Sequence, residues 1–214
     1  DDQCCYYYDE GGYYCDEEPP ASENIMNIDI RQSGDTEKTG AAVVGTVGDY
    51  WNTLNFSLEP GSEPAFEENL KWANGLTSSV KLISVHENGW QPIFDAAGAT
   101  AHSDDMMQSY GRVVDNDRYK SLRFVLLPRG TYDIYIYGHG PQVSDILTCQ
   151  VVTPITEFPH ESTGDDWEGE FIEGENYVLF EDVSFLAVEQ TDIEIRFPIH
   201  VASYINGIQL VKVV

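Results

Sequence analysis

The residues with the most chemical potential in this chain are its cysteines, tyrosines and carboxylates, and they are unevenly spread. Cys4, Cys5 and Cys15 crowd together near one end beside Tyr6, Tyr7, Tyr8, Tyr13 and Tyr14, while the fourth cysteine, Cys149, stands far away. Thiols exposed in a polar segment do not stay reduced outside a cell, so the even count reads as a disulfide set drawn from Cys4, Cys5, Cys15 and Cys149. Vicinal Cys4 and Cys5 are poorly placed to bond each other in a trans chain, so each is expected to reach elsewhere. Four cysteines allow three pairings, and the sequence does not choose between them.

Catalytic patterns are weak. Ser78-Ser79-Val80-Lys81 fits S-x-x-K and Lys38-Thr39-Gly40 fits K-T-G, two elements of the serine β-lactamase set. Their order is reversed relative to that set, Val80, Leu82 and Val85 read as strand where a helix start is required, and no S-D-N occurs. There is no G-x-S-x-G, H-E-x-x-H, P-loop or G-x-G-x-x-G string. His86, His102, His139, His160 and His200 are too scattered for zinc-ligand spacing. Paired carboxylates are common enough to arise from composition, so no glycosidase pair stands out. Asp115-Asn116-Asp117 and Asp165-Asp166 do place several hard oxygens in loops, the donor type calcium prefers, with a solvated acidic loop as the competing reading. The expected cofactor is therefore none, or Ca2+ at Asp115, Asp117, Asp165 and Asp166.

A different chemistry is suggested by the strand Tyr132-Asp133-Ile134-Tyr135-Ile136-Tyr137. Period two sets Tyr132, Ile134 and Ile136 on one side and Asp133, Tyr135, Tyr137 and His139 on the other. Aromatic rings beside hydrogen-bonding groups suit the faces and hydroxyls of sugars, so Tyr135, Tyr137 and His139, with Trp90 from a loop, form a candidate glycan site. Burial beneath a neighbouring loop or second subunit is the alternative for such tyrosines. Asn55-Phe56-Ser57 is an N-glycosylation sequon, meaningful in a eukaryotic source.

The elements that would position these residues are strands. Alternation begins at Ile25 and recurs at 42–47, 80–86, 122–127, 131–137, 146–152, 177–181, 192–197 and 205–213, separated by turn residues. Such a run predicts an all-β fold, an antiparallel two-sheet β-sandwich of jelly-roll type over 25–214. Its expected core includes Ile28, Val43, Ile83, Phe124, Leu126, Ile134, Ile136, Val178, Ile195, Ile208 and Leu210. Pro128-Arg129-Gly130 reads as the turn of a hairpin. Residues 66–72 could make one or two helical turns, and the small and polar residues of 91–119 read as a long surface excursion.

Residues 1–24 are different in kind, an extended arm that holds eight carboxylates and no Lys or Arg and is interrupted by the stiff Pro19-Pro20 hinge. Across the whole chain 11 Lys+Arg face 37 Asp+Glu, a formal net charge of -26. Long-range repulsion at that charge excludes nucleic acid as an expected partner. No stretch of 18 apolar residues appears, so no helical membrane span is expected. Asp1-Asp2-Gln3 reads as the start of a chain whose signal peptide has been removed, which with the cysteines predicts an extracellular or cell-surface location.

Four strings resemble a known group in order along residues 25–214: Gly40-Ala41-Ala42-Val43-Val44-Gly45-Thr46-Val47-Gly48-Asp49-Tyr50-Trp51-Asn52, then 127–140 around Thr131-Tyr132-Asp133-Ile134-Tyr135-Ile136-Tyr137-Gly138-His139-Gly140, then Phe171-Ile172-Glu173-Gly174-Glu175-Asn176-Tyr177-Val178-Leu179-Phe180, and Ile205-Asn206-Gly207-Ile208-Gln209-Leu210. They are similar to exported proteins of environmental bacteria with galactose-binding-like, carbohydrate-binding jelly rolls. The resemblance implies a fold more than a role, because one such scaffold hosts many functions. The arm lies outside it. The expected function is that of a secreted, non-catalytic structural protein that assembles with itself, as a surface layer or filament, through Cys4, Cys5, Tyr6, Tyr7, Tyr8, Tyr13, Tyr14 and Cys15. The alternative is an extracellular carbohydrate-binding module, with a glycan as partner.

Overall fold

The computed structural model describes residues 5–8, 12–15, 24–32, 37–56, 66–67, 69–86, 94–99, 104–113, 120–142, 144–164, 167–185 and 192–213. Every regular element among them is a strand. In chain order these are β1 (Cys5–Tyr8), β2 (Gly12–Cys15), β3 (Ile25–Gln32), β4 (Asn52–Phe56), β5 (Phe66–Glu67), β6 (Lys81–His86), β7 (Phe94–Ala99) and β8 (Ser109–Val113). There follow β9 (Lys120–Val125), β10 (Gly130–Tyr137), β11 (Thr148–Val152), β12 (Glu157–Ser162), β13 (Tyr177–Phe185), β14 (Ile193–Phe197), β15 (Ser203–Ile205) and β16 (Gly207–Val213). No helix among the described residues is long and apolar enough to cross a membrane.

Two larger sheets hold most strands, one ordered β13-β10-β16-β3-β4 and the other β12-β11-β14-β9-β6-β5. All their pairings are antiparallel except that of β3 with β4, which is parallel. Strands β15, β8 and β7 make a third sheet, and β1 and β2 pair with each other. Alternation drives the core: Met26, Ile28 and Ile30 of β3, Ile134 and Ile136 of β10, and Ile208 and Leu210 of β16 join Leu82, Leu122, Phe124, Val151 and Ile195 from the other large sheet in one hydrophobic cluster. Each such side chain removed from water contributes about 1.5–3 kcal/mol, which fixes which face of every strand points inward.

Several expectations change. The Pro128–Gly130 turn does not close a hairpin, because β9 belongs to one large sheet and β10 to the other. Leu126, expected in the core, is 52% exposed and takes a left-handed φ of 59° that ends the ladder of β9. The crossing is then pinned from within by Tyr132, a buried residue whose hydroxyl donates to the Pro128 carbonyl at 2.6 Å. Ile28, Ile83, Phe124, Ile134, Ile136, Val178, Ile195, Ile208 and Leu210 are buried, and Val43 is half-buried.

Residues 42–47 form no strand. Gly40, Gly45 and Gly48 all sit at left-handed φ, which favours glycine, and Gly45 also leaves room for the Asp49 carboxylate that caps the turn through Thr46. The 66–72 region is not helical either: Phe66–Glu67 pairs with β6, and Lys71 bridges to Thr77 around a tight turn. Within 91–119, β7 and β8 pair with each other, and Met106 and Met107 are fully buried. Strand β12 escapes the sequence pattern because it carries Pro159, tolerated where it lies at a sheet edge.

The parallel pair β3/β4 has a consequence for everything above the five-stranded sheet. Neighbouring parallel strands need a crossover that returns along the sheet. The returning segment, described from residue 37 to 51, lies over the face opposite the main core, where Val43 and Val44 meet Tyr137 and Gln209.

Candidate functional site

The face covered by this crossover is polar on one side and aromatic on the other. Register places Asp29, Gly207, Tyr137 and Tyr177 in one row across β3, β16, β10 and β13. Asn27, Gln209, Tyr135 and Leu179 form the next row. Asn27, Asp29 and Arg31 alternate with the core residues of β3 and would be a wet face on an open sheet. Here Asn27, Asp29, Gln209 and Tyr137 are each 0% exposed.

Burial of so many polar groups requires partners. Gln209 is the hub. Its Oε1 accepts a short hydrogen bond from the Tyr137 hydroxyl, and its Nε2 donates to Asn27 Oδ1 at 2.7 Å and to the Val44 carbonyl at 3.1 Å. The Val43 N–H donates to the Tyr137 hydroxyl oxygen at 3.3 Å, and Asn27 Nδ2 donates to the Tyr50 carbonyl at 3.1 Å. Asn52, at the start of β4, donates to the carbonyls of Asn27 and Lys71 and accepts from the Lys71 N–H. Polar side chains thus stitch the crossover to the sheet.

Beside the hub lies a chain of charges. Asp29 Oδ2 accepts from the Lys38 N–H at 3.1 Å and stands 3.8 Å from Arg31 Nε. Arg31 continues to Glu37 at 2.9 Å, and Lys38 Nζ reaches Asp104 at 2.7 Å, tying the crossover to the turn that carries Met106. Trp51 donates through Nε1 to the Gly40 carbonyl at 2.7 Å. Burial raises the Asp29 carboxyl from 3.8 to about 7, opposed by the Lys38 N–H and the charges of Arg31 and Lys38. Its Oδ1 is buried and has no hydrogen-bond partner among the described residues. A carboxyl with that pKa can exchange a proton near neutrality, yet it is sealed from solvent.

The aromatic half is roofed by Trp51, Met106, Met107 and Trp167, with Phe171 packed against them. The Tyr137 ring lies edge-on to Phe171 at 5.2 Å, and Trp167 lies 4.9 Å from Phe171. Met106 approaches the sheet at Gly207, where a Cβ would meet its sulfur at 2.3 Å.

Of the residues singled out from sequence, Tyr135 is half-buried, its ring 5.9 Å from that of Tyr177. Tyr137 lies beneath the roof, and His139 is buried with its N–H donating to Asn206 Oδ1 at 2.6 Å and its Nδ1 against the Gly140 carbonyl. Tyr135, Tyr137 and His139 therefore do not make one open platform, and Trp90 lies outside the described residues. So do Asp115, Asp117, Asp165 and Asp166; no cluster of three or more potential metal ligands occurs among the described residues. Cys149, in β11, is a free thiol in the main core, where burial pushes its pKa up. The backbones of Cys5, Tyr6, Tyr7 and Tyr8 form β1 and those of Tyr13, Tyr14 and Cys15 lie in β2, while Cys4 lies outside the described residues. Ser78 is occupied in a turn, donating to the Leu70 carbonyl at 2.6 Å and accepting from the Val80 N–H at 3.1 Å.

Sequence reasoning missed Asn27, Asp29, Gln209, Lys38, Asp104 and Trp51. Alternation marks Asn27, Asp29 and Gln209 as facing away from the core, and only the parallel pairing reveals that a crossover covers them. Met106-Met107 is the one local signal, an apolar pair inside a polar stretch. No protein-family model matches this chain, and no curated protein matches its sequence.

Proposed function

We propose that this chain is an exported, non-catalytic structural protein, a two-sheet β-sandwich of jelly-roll type that assembles with copies of itself through residues 1–24. The observation that carries the reading is the N-terminal hairpin, which forms a sheet separate from the others. Two strands alone are marginal in water, so a tyrosine-rich hairpin of this kind gains stability from a surface to pack on. An open sheet edge on a neighbouring copy supplies such a surface and satisfies the hairpin's outward backbone groups. A head-to-tail contact of that sort repeats into a filament unless its rotation closes a ring.

The body supports a scaffolding role as well. Tyr137, Gln209, Asn27 and Asn52 spend their hydrogen-bonding capacity on each other and on the crossover, which rigidifies the sheet. Deleting residues 1–20 tests the reading by sedimentation velocity and electron microscopy. The full chain is expected to form higher oligomers and the truncated one to remain monomeric; identical assembly by both overturns it. Tyr135, half-exposed beside Tyr177, favours a second reading as a glycan-binding surface. Glycan-array binding that Tyr135→Ala abolishes would support it, and binding unchanged by that substitution would remove it.

A further inference from the structure

The ladder between β1 and β2 sets Cys5 directly opposite Cys15, followed by Tyr6 opposite Tyr14, Tyr7 opposite Tyr13 and Tyr8 opposite Gly12. Opposed residues of an antiparallel pair have Cα atoms about 4.5 Å apart at a non-hydrogen-bonded rung and about 5.5 Å apart at a hydrogen-bonded one. Both separations fall within the range of roughly 4.4–6.8 Å that a disulfide spans. We propose that Cys5 and Cys15 form an intrachain disulfide that closes the open end of the N-terminal hairpin.

Two further observations narrow the pairing. Cys149 is buried in the main core as a free thiol, which removes it as a partner for the arm. The ladder register sets Cys5, and no other described residue, directly opposite Cys15. The chemistry needs an oxidant, and a low-molecular-weight disulfide such as oxidised glutathione suffices. One cysteine thiolate attacks it and expels a glutathione thiolate, and the second cysteine attacks the mixed disulfide and expels the other. The two protein thiols lose two electrons and two protons, and the oxidant leaves as two thiols. The cross-link lies at the end of the ladder away from the Tyr8–Gly12 rung, so it holds the tyrosine rungs between them in register.

This inference rests on the reading of the chain as exported only for the source of its oxidant, which an assay can supply directly. The reduced full-length protein is equilibrated in glutathione buffer at about −200 mV, quenched, unfolded, alkylated and weighed intact. Two of the four cysteines are expected to resist alkylation, in a species that runs as a monomer on a non-reducing gel. Cys4→Ser should keep the protected pair, and Cys5→Ser and Cys15→Ser should each lose it. A pair that survives Cys5→Ser, one lost in Cys4→Ser, or one found only in a covalent dimer overturns the assignment. Assembly is read separately by sedimentation, so a failure of arm-mediated assembly leaves this result distinct.

Discussion

Replacing Asp29 with asparagine isolates the cost of a buried charge. The folded-state pKa of about 7 lies above the unfolded value of 3.8, so the folded protein holds the proton more tightly than the unfolded chain does. Below about pH 4 the carboxyl is neutral in both states and carries no penalty. Stability is lost as pH rises, and the loss is complete above pH 7. A difference of about 3 pKa units at 1.36 kcal/mol each makes the full penalty about 4 kcal/mol, of which roughly 2–3 kcal/mol develops between pH 5 and pH 8. The attraction of Arg31 and Lys38 is already included, since both act on the shifted value. Asparagine has nearly the same shape, retains an oxygen to accept from the Lys38 N–H, and never ionises. Urea denaturation of wild type and Asp29→Asn at several pH values from 5 to 8, followed by tryptophan fluorescence, reads the difference. The repulsion among the other carboxylates is common to both proteins and cancels. The variant should gain on the wild type by about 1 M in urea midpoint across that range, taking m as about 2–3 kcal/mol/M. A difference that stays flat, or that moves towards the wild type as pH rises, would refute the reasoning and show that Asp29 is ionised at little cost.

Two other outcomes follow from the same face, and a third from the main core. Gly207→Ala drives a methyl to 2.3 Å from Met106 Sδ and 2.9 Å from the Ile28 carbonyl, and should cost about 1–3 kcal/mol; adding Met106→Ala should cost less than the sum of the two single changes, and strict additivity in thermal melts would count against the contact. Gln209→Leu leaves Asn27 Oδ1, the Val44 carbonyl and the Tyr137 hydroxyl without their partner, so a loss of about 2–4 kcal/mol and faster amide exchange over residues 42–50 are expected; exchange unchanged there would show that the crossover is held by other contacts. Cys149, buried and with its thiolate disfavoured, should resist a thiol reagent in the native protein and react once urea unfolds the chain, and native-state labelling at the rate of an exposed thiol would contradict its place in the core.

Strands were legible where strong apolar alternation marks a face that packs on the main core, as in Ile134/Ile136 against Tyr135 or Ile28 against Asn27. They were not legible in β12, whose edge position excuses a proline, or in β7, whose small residues carry no alternation. Residues 42–47 show the opposite error. Their valines read as strand, and glycines at left-handed φ turn them into a crossover.

The sequence by itself determined the all-β class and the inward faces of the strongest strands, because these follow from residue type at local spacing. Only the tertiary structure decided that the Pro128–Gly130 turn passes between sheets and that β3 and β4 run parallel. It also decided that Asn27, Asp29 and Gln209 are buried beneath residues 37–51. A polar residue on a strand records only that it faces away from the main core. Whether water or another segment lies above it depends on how strands distant in sequence are paired, and that pairing is set by the sum of core burial across two sheets, not by any local pattern.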